Sequence, residues 1–210
     1  MRYSTIKFNK INMLQADNEK GLKIIVSPVG ASLRSVAFNG VEILNTPKND
    51  ADFFNKESLL GKTLGPILNI IENIEISGKS YSFDKDYSLN NVLFAGTPYM
   101  DKSLFSMTYS YKKKNMKDGL PGNVQYYISY SMSSSNNELL VDYRAVSDRD
   151  TPISISNKIG FILENNVKLE IESDYKHLEN GEIIDLPTND ELLRKKEIYH
   201  KQILYRFSKK

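Results

Sequence analysis

Hydrophobic and polar residues alternate along most of this chain, which is the pattern of β-strands with one buried face. The clearest runs are VQYYISYSM (Val124–Met132), ELLVDYRA (Glu138–Ala145) and VKLEIES (Val167–Ser173). Two further short runs are joined by Asn39 and Gly40, a dipeptide typical of two-residue hairpin turns. Because such runs recur between turn residues, we predict an all-β fold of antiparallel strands.

A helical pattern is found only near the C-terminus. Asn189–Lys201 (NDELLRKKEIYHK) starts with an N-cap candidate and continues with charged, helix-forming residues, so it predicts a short C-terminal helix. We therefore predict a β-sandwich domain over residues 1–190 and a divergent, basic and helical tail over residues 191–210.

The composition is that of a folded protein without a strong electrostatic preference. Hydrophobic residues make up 40% of the 210 residues, and 28 basic and 26 acidic residues leave a net charge of +2. This balance argues against nucleic acid and against an anionic membrane as the main partner. The chain has no cysteine, no run of about 18 apolar residues and no signal-peptide h-region, so we expect a cytoplasmic protein.

Six motifs follow one another along the chain. They are Gly30–Leu44, Gly65–Ile71, Ser77–Tyr81, Asn91–Gly96, Leu120–Pro152 and Ser156–Leu163. Their order and spacing resemble the aldose 1-epimerase (galactose mutarotase) family. That family carries GR-x-x-NRI where this chain has GPILNII, N-x-LHGG where it has NVLFAG, and TNHsYFNL where it has SNKIGFIL.

The resemblance implies an antiparallel β-supersandwich of the galactose mutarotase type, with a hexose or glycan bound in an open cleft on one concave sheet. Aldose 1-epimerases interconvert the α and β anomers of a free hexose. A carboxylate removes the proton of the C1 hydroxyl while a histidine donates one to the ring oxygen, and both groups must lie within hydrogen-bond reach of the sugar. The resemblance implies no metal and no organic cofactor.

This chain departs from the family pattern at the positions that carry the chemistry. Pro66 and Ile70 replace two arginines, Phe94 replaces the histidine of LHGG, and Lys158 replaces the histidine of TNH that acts as the ring-oxygen acid. The family's glutamate base lies in a final portion that this chain does not reach. The resemblance is therefore to a degenerate member with an incomplete C-terminal end. Because Lys158 stands at the position expected for the acid histidine, we assign no catalytic residue.

The expected carbohydrate-binding residues are Asn69, Phe94, Tyr99, Asn157 and Lys158. The two asparagines are retained from the family motifs, and the two aromatic rings lie on the loop expected to border the cleft. Lys158 is interpreted either as a sugar contact or, more simply, as a surface lysine on a divergent strand.

A basic cluster and the two histidines receive structural interpretations. The basic cluster of Lys112–Lys114 and Lys117 is interpreted as a solvated loop. His177 and His200 have no companion at metal-ligand spacing, so we expect both to be structural or exposed to solvent.

Three functions follow as hypotheses. The first is a carbohydrate-binding protein of this family whose interconversion of anomers is lost or impaired. The second is an active aldose 1-epimerase completed by another chain, and the third is a non-catalytic interaction domain. A sandwich without its last strands would expose unpaired edges, so we also expect the tail to fold back over the sheets, or the chain to form homo-oligomers.

Overall fold

The computed structural model describes residues 1–68, 73–163, 167–185 and 191–210, and this part of the chain is almost entirely β-structure. One short helix, α1 (Asp50–Phe54), and a 3₁₀ turn (Leu89–Asn91) interrupt the strands, and no helix in the described ranges is long and apolar enough to cross a membrane. The strands are β1 (Arg2–Phe8), β2 (Ile11–Asp17), β3 (Leu22–Ser27), β4 (Ser32–Phe38), β5 (Val41–Glu42), β6 (Thr63–Leu64), β7 (Asn73–Ile76), β8 (Lys79–Ser82), β9 (Ala95–Met100), β10 (Leu104–Lys113), β11 (Val124–Ser133), β12 (Glu138–Ser147), β13 (Thr151–Ile153), β14 (Ser156–Asn157), β15 (Val167–Ser173), β16 (Lys176–His177), β17 (Ile183–Asp185), β18 (Glu191–Leu193) and β19 (Ile198–Lys209).

Two antiparallel sheets contain most of these strands, which confirms the predicted fold class. The first sheet has the order β1-β2-β3-β4-β5, so consecutive strands are neighbours, and the second has the order β15-β19-β12-β11-β10-β9. Asn39 and Gly40 join β4 to β5 as predicted. Their positive φ angles, 50° and 83°, are those that a type I′ hairpin turn requires.

The core lies between the inner faces of the two sheets. On β11, Tyr126, Ile128 and Tyr130 are buried, while the residues between them face outwards. Leu22 and Ile24 on β3 follow the same rule from the opposite sheet. The alternation in the sequence is thus the period of the pleat, and each fully buried side chain of this size stabilises the fold by about 1.5–3 kcal/mol.

Short ladders connect the sheets where the family motifs lie. β6 pairs with β14, and the backbone N–H of Leu33 on β4 donates to the carbonyl oxygen of Gly61 at 2.8 Å. Gly61 has a φ of +75°, and a Cβ atom there would lie 2.2 Å from the Leu33 carbonyl oxygen. Glycine is therefore required for the segment before β6 to approach β4 so closely.

The prediction of a C-terminal helix is wrong. The end of the chain forms β18 and β19, and β19 lies between β12 and β15 in the larger sheet. Tyr199, Ile203, Tyr205 and Phe207 are buried with a period of two, so burial of this face outweighs the helix propensity of the charged residues. Residues 198–209 are thus an interior strand of the larger sheet and not a cap that covers the sheets.

The interpretation of the lysine cluster as a solvated loop is wrong for Lys113. This residue ends β10, and its Nζ atom donates to Oδ1 of Asp118 at 2.6 Å and to the carbonyl oxygen of Leu120 at 3.3 Å. The side chains of Lys113 and Asp118 are each only 1% exposed. A buried ion pair therefore closes the connection between β10 and β11.

Candidate functional site

Backbone hydrogen bonds hold the Asn157-Lys158 segment against residues 60–64. Asn157 pairs with Thr63 in the ladder of β14 and β6. The N–H of Lys158 donates to the carbonyl oxygen of Lys62 at 3.3 Å, and the carbonyl oxygen of Lys158 accepts from the N–H of Gly61 at 2.7 Å. The position of Lys158, where the resemblance implies the family's acid, is therefore fixed by main-chain contacts.

Asn157 and Lys158 point to opposite sides of this ladder. Asn157 is buried, and its Nδ2 donates to the hydroxyl oxygen of Tyr130 at 2.6 Å. The Tyr130 hydroxyl in turn donates to the carbonyl oxygen of Ala31 at 2.7 Å. Lys158 is exposed. The Tyr130 hydroxyl thus links the larger sheet to the residue before β4 and also binds Asn157, and Lys158 is the member of the pair that solvent or a ligand can reach.

Phe94, where the resemblance implies the histidine of LHGG, is a core residue. Its ring is buried and lies 5.6 Å from the ring of Tyr111, centroid to centroid. The Tyr111 hydroxyl lies 3.2 Å from that of Tyr87 and accepts from Nζ of Lys117 at 2.8 Å. Burial and the hydrogen bond with Tyr111 raise the pKa of Tyr87 well above its ordinary value. An aromatic cluster therefore occupies the place where the resemblance implies a polar sugar contact.

Tyr99 does not share a surface with Phe94. It lies on β9 directly opposite Ser106, is 56% exposed and donates its hydroxyl to Oδ2 of Asp101 at 2.9 Å. Backbone and side-chain donors of Ser103 also bind Asp101 and lower the pKa of its carboxyl to about 2. Five positions of extended chain separate Tyr99 from Phe94, or about 17 Å, and an odd separation places the two side chains on opposite faces.

The remaining family positions add no acid or base. Pro66 is buried, and its carbonyl oxygen accepts from the N–H of Ser154 at 2.7 Å. Asn69, the fifth expected binding residue, and Ile70 lie outside the described residues. The structure thus brings together Asn157 and Lys158, and separates them from the exposed aromatic residue Tyr99.

Lys62 is a buried cation near this segment that the sequence did not single out. Its side chain is inaccessible to solvent, its Nζ donates to the carbonyl oxygen of Asn55 at 2.9 Å, and it lies 5.8 Å from the centroid of the Phe53 ring. Burial lowers the pKa of Lys62 because it penalises the charged form. Within the described residues, neither Lys62 nor Lys158 forms an ion pair with a carboxylate.

A second polar group that the sequence did not reveal joins β12 to β19. His200 Nε2 lies 2.7 Å from Oδ2 of Asp142, and Nε of Arg144 donates to Oδ1 of the same carboxylate at 2.8 Å. The histidine and the aspartate are 58 residues apart in the chain. His200 is partly exposed, as expected, but it is paired with a carboxylate that only the strand register places beside it.

Comparison with known proteins is consistent with the motif order. Residues 12–205 match the family model described as aldose 1-epimerase. The chain is 25% identical over 138 residues to galactose mutarotase from Homo sapiens and 25% identical over 148 residues to aldose 1-epimerase from Haemophilus influenzae. These alignments include 58% and 66% of this chain and 40% of each relative, so the chain spans less than half the length of these two relatives.

Solved structures show the same architecture. Galactose 1-epimerase from Lactobacillus acidophilus superimposes with a TM-score of 0.80 at 13% identity, over 99% of this chain and 98% of that one. The GalM/aldose epimerase homologue from Caenorhabditis elegans superimposes with a TM-score of 0.75 at 15% identity, over 95% and 99% of the two chains. These likenesses confirm the galactose mutarotase-like fold, and with the family match over residues 12–205 they establish that this chain belongs to the aldose 1-epimerase family.

Proposed function

We propose that this protein binds a hexose or glycan and has lost efficient interconversion of its anomers. The observation that carries the proposal is the identity and burial of the residues at three positions where the resemblance implies polar side chains. Two of them, Pro66 and Phe94, are buried apolar residues, and the third, Lys158, is exposed and forms no ion pair within the described part of the chain. Family membership supports a sugar ligand, and these substitutions support the loss of the reaction.

The chemistry explains why the substitutions matter together. Opening the sugar ring needs one group to remove the proton of the C1 hydroxyl and another to protonate the ring oxygen. An exposed Lys158 offers a hydrogen-bond donor to a sugar hydroxyl, but it forms no ion pair with a carboxylate among the described residues. A sugar can therefore be held at this segment without both steps being catalysed.

Polarimetry of freshly dissolved α-galactose and α-glucose tests the catalytic half of the proposal. General acid–base catalysis contributes about 10²–10⁴-fold to a rate, so without it the optical rotation is expected to change at the rate measured in buffer. Mutarotation accelerated by nanomolar protein would overturn the proposal and favour an active aldose 1-epimerase.

Calorimetric titration with galactose and glucose tests the binding half. We expect weak but saturable binding that Lys158→Ala reduces several-fold. Lys7→Ala, which removes an exposed lysine from β1, is the matched control and is expected to bind as the unmodified protein does. A flat titration with both sugars would overturn hexose binding and favour a non-catalytic interaction domain.

A further inference from the structure

The outer face of the six-stranded sheet carries rows of hydroxyl groups. Antiparallel register places Ser106 opposite Ser131 and Thr108 opposite Ser129 on β10 and β11. The Ser131 hydroxyl donates to Oγ of Ser106 at 2.9 Å, and the hydroxyl oxygens of Thr108 and Ser129 are also 2.9 Å apart. Directly opposite residues share one face, so these side chains form a polar surface on the side away from the core.

Two adjoining cavities lie along this face. One, of about 400 Å³, extends from Leu104 on β10 to Glu172 on β15, and the other, of about 480 Å³, lies over β10, β11 and β12. Both are lined by Ser131 and Leu140, so they form one depression, which we call the outer trough. Four strand spacings separate β10 from β15, which makes the trough about 19 Å long and suited to a chain of several sugar rings.

Carboxylates outnumber arginines among the described residues that line the outer trough, and the arginines beside them are held in ion pairs. Arg144 donates to Asp142 at 2.8 Å, and Arg206 donates to both Glu138 and Glu172 at 3.0 Å. An anionic ligand would meet these carboxylates and find no free cation among the described lining residues. A neutral ligand with many hydroxyl groups meets carboxylate, amide and hydroxyl groups that accept and donate hydrogen bonds without separating the ion pairs.

Exposed aromatic rings border the same face. Tyr127 lines the trough and is 39% exposed, and Tyr99 is 56% exposed and lies opposite Ser106 on β9. A tyrosine ring offers a flat apolar surface with a polar edge, which matches the apolar C–H face and the hydroxyl rim of a pyranose. The register of β9, β10 and β11 therefore places stacking surfaces beside hydroxyl groups.

We propose that the outer trough binds a neutral oligosaccharide chain, with its hydroxyls bonded to the serine and threonine rows and one ring stacked on Tyr127. This site is separate from the hexose contact proposed at Lys158 and goes beyond it. Lys158 is not among the residues that line the outer trough, and its backbone is bonded to Gly61 and Lys62. The neighbouring Asn157 is buried between the two sheets, whereas the trough lies on the outer side of the larger sheet.

Calorimetric titration with maltohexaose, cellohexaose and hexagalacturonate tests the proposal. We expect at least one of the two neutral hexamers to bind and hexagalacturonate, which is anionic, to bind at least tenfold more weakly. Failure of both neutral hexamers to bind, or tighter binding of hexagalacturonate, would overturn the proposal.

Variants locate the binding. Ser131→Ala combined with Tyr127→Ala is expected to raise the Kd for the neutral hexamer about tenfold or more, whereas Ser4→Ala on the exposed strand β1 leaves it unchanged. Thermal unfolding shows whether the double variant is folded, and Tyr127→Ala alone replaces it if it is not. Unchanged affinity in the folded variant would overturn the assignment to the trough.

The two proposed sites can be tested independently of each other. Lys158→Ala is expected to leave hexamer binding unchanged, and the trough variant is expected to leave galactose binding unchanged. Hexamer binding that is lost in Lys158→Ala but retained in the trough variant would overturn the trough proposal while supporting the contact at Lys158.

Discussion

The Nδ2 atom of Asn157 donates to the hydroxyl oxygen of Tyr130 at 2.6 Å, and both side chains are buried. The Tyr130 hydroxyl also donates to the carbonyl oxygen of Ala31. One phenol thus joins β11 in the larger sheet, the β14 segment and the residue that precedes β4. Asn157, which the sequence predicts as a sugar contact, is therefore bonded to the hydroxyl that links the two sheets.

Removing either member of this pair is expected to destabilise the fold. Asn157→Ala should lower the free energy of unfolding by about 1–3 kcal/mol, because it removes a buried hydrogen bond. Urea denaturation of the two single variants and the double variant Asn157→Ala/Tyr130→Phe should give a coupling energy of about 0.5–3 kcal/mol. Lys158→Ala is the adjacent control and should change stability by less than about 0.5 kcal/mol. Strictly additive single variants would contradict the link.

Two buried tyrosines should respond in opposite ways to loss of the hydroxyl. The Tyr143 hydroxyl is buried without a hydrogen-bond partner among the described residues, so Tyr143→Phe is expected to raise the free energy of unfolding by about 1 kcal/mol. Tyr130→Phe, which removes two hydrogen bonds, is expected to lower it by at least about 1 kcal/mol. Chemical denaturation under identical conditions compares the two, and the reverse order would contradict the hydrogen-bond assignment.

The same substitution tests a pH dependence. Burial raises the pKa of Tyr143 well above its ordinary value, whereas the unfolded chain titrates near 10. Above about pH 10 the unfolded state therefore loses its proton first, and stability falls as the pH rises. Tyr143→Phe should reduce this alkaline loss of stability, which urea denaturation between pH 8 and about pH 11 would measure. An unchanged slope would show that Tyr143 does not contribute.

The buried ion pair of Lys113 and Asp118 gives an asymmetric prediction. Lys113→Met leaves an unpaired buried carboxylate and is expected to cost about 3–5 kcal/mol. The double variant Lys113→Met/Asp118→Asn removes both charges and should recover a large part of this loss. Lys112→Met, at the preceding exposed position, is the control. A double variant as unstable as the single one, by thermal or urea denaturation, would contradict a cost that arises from the unpaired charge.

Lys62 should give stability a dependence on pH of its own. Because burial lowers its pKa in the folded state, the unfolded state binds more protons between that pKa and the unfolded value near 10.4. The free energy of unfolding should therefore rise with pH within this interval. Lys62→Met should remove this contribution, whereas Lys7→Met at an exposed position should not. Equal pH profiles for Lys62→Met and the unmodified protein would rule out a titration effect at Lys62.

The features that could be predicted from the sequence depend on residues close together in the chain. Alternation of apolar and polar residues fixed the strands because a pleated strand exposes successive side chains on opposite faces. Asn39 and Gly40 fixed a hairpin because a type I′ turn needs two positive φ angles. The ordered motifs predicted the family to which the chain belongs, and Phe94 and Lys158 stand where the resemblance implies histidines.

Contacts between distant segments decided the rest. The charged residues near the end of the chain favour a helix locally, but pairing with β12 and β15 makes Ile198–Lys209 an interior strand. Lys113 belongs to a basic cluster in the sequence, yet the turn that follows brings Asp118 to it and allows its burial. His200 meets Asp142 only because β12 and β19 are neighbours in a particular register.

The expected binding site also depends partly on the sequence alone and partly on contacts between distant segments. The sequence by itself determined which residues stand at the motif positions, since the identity of a residue is a property of the chain. Only the tertiary structure decided that Asn157 is buried, that Lys158 is exposed and that Tyr99 lies on another face from Phe94. The physical reason is that burial depends on which sheet packs against a residue, and strands far apart in the chain supply that sheet.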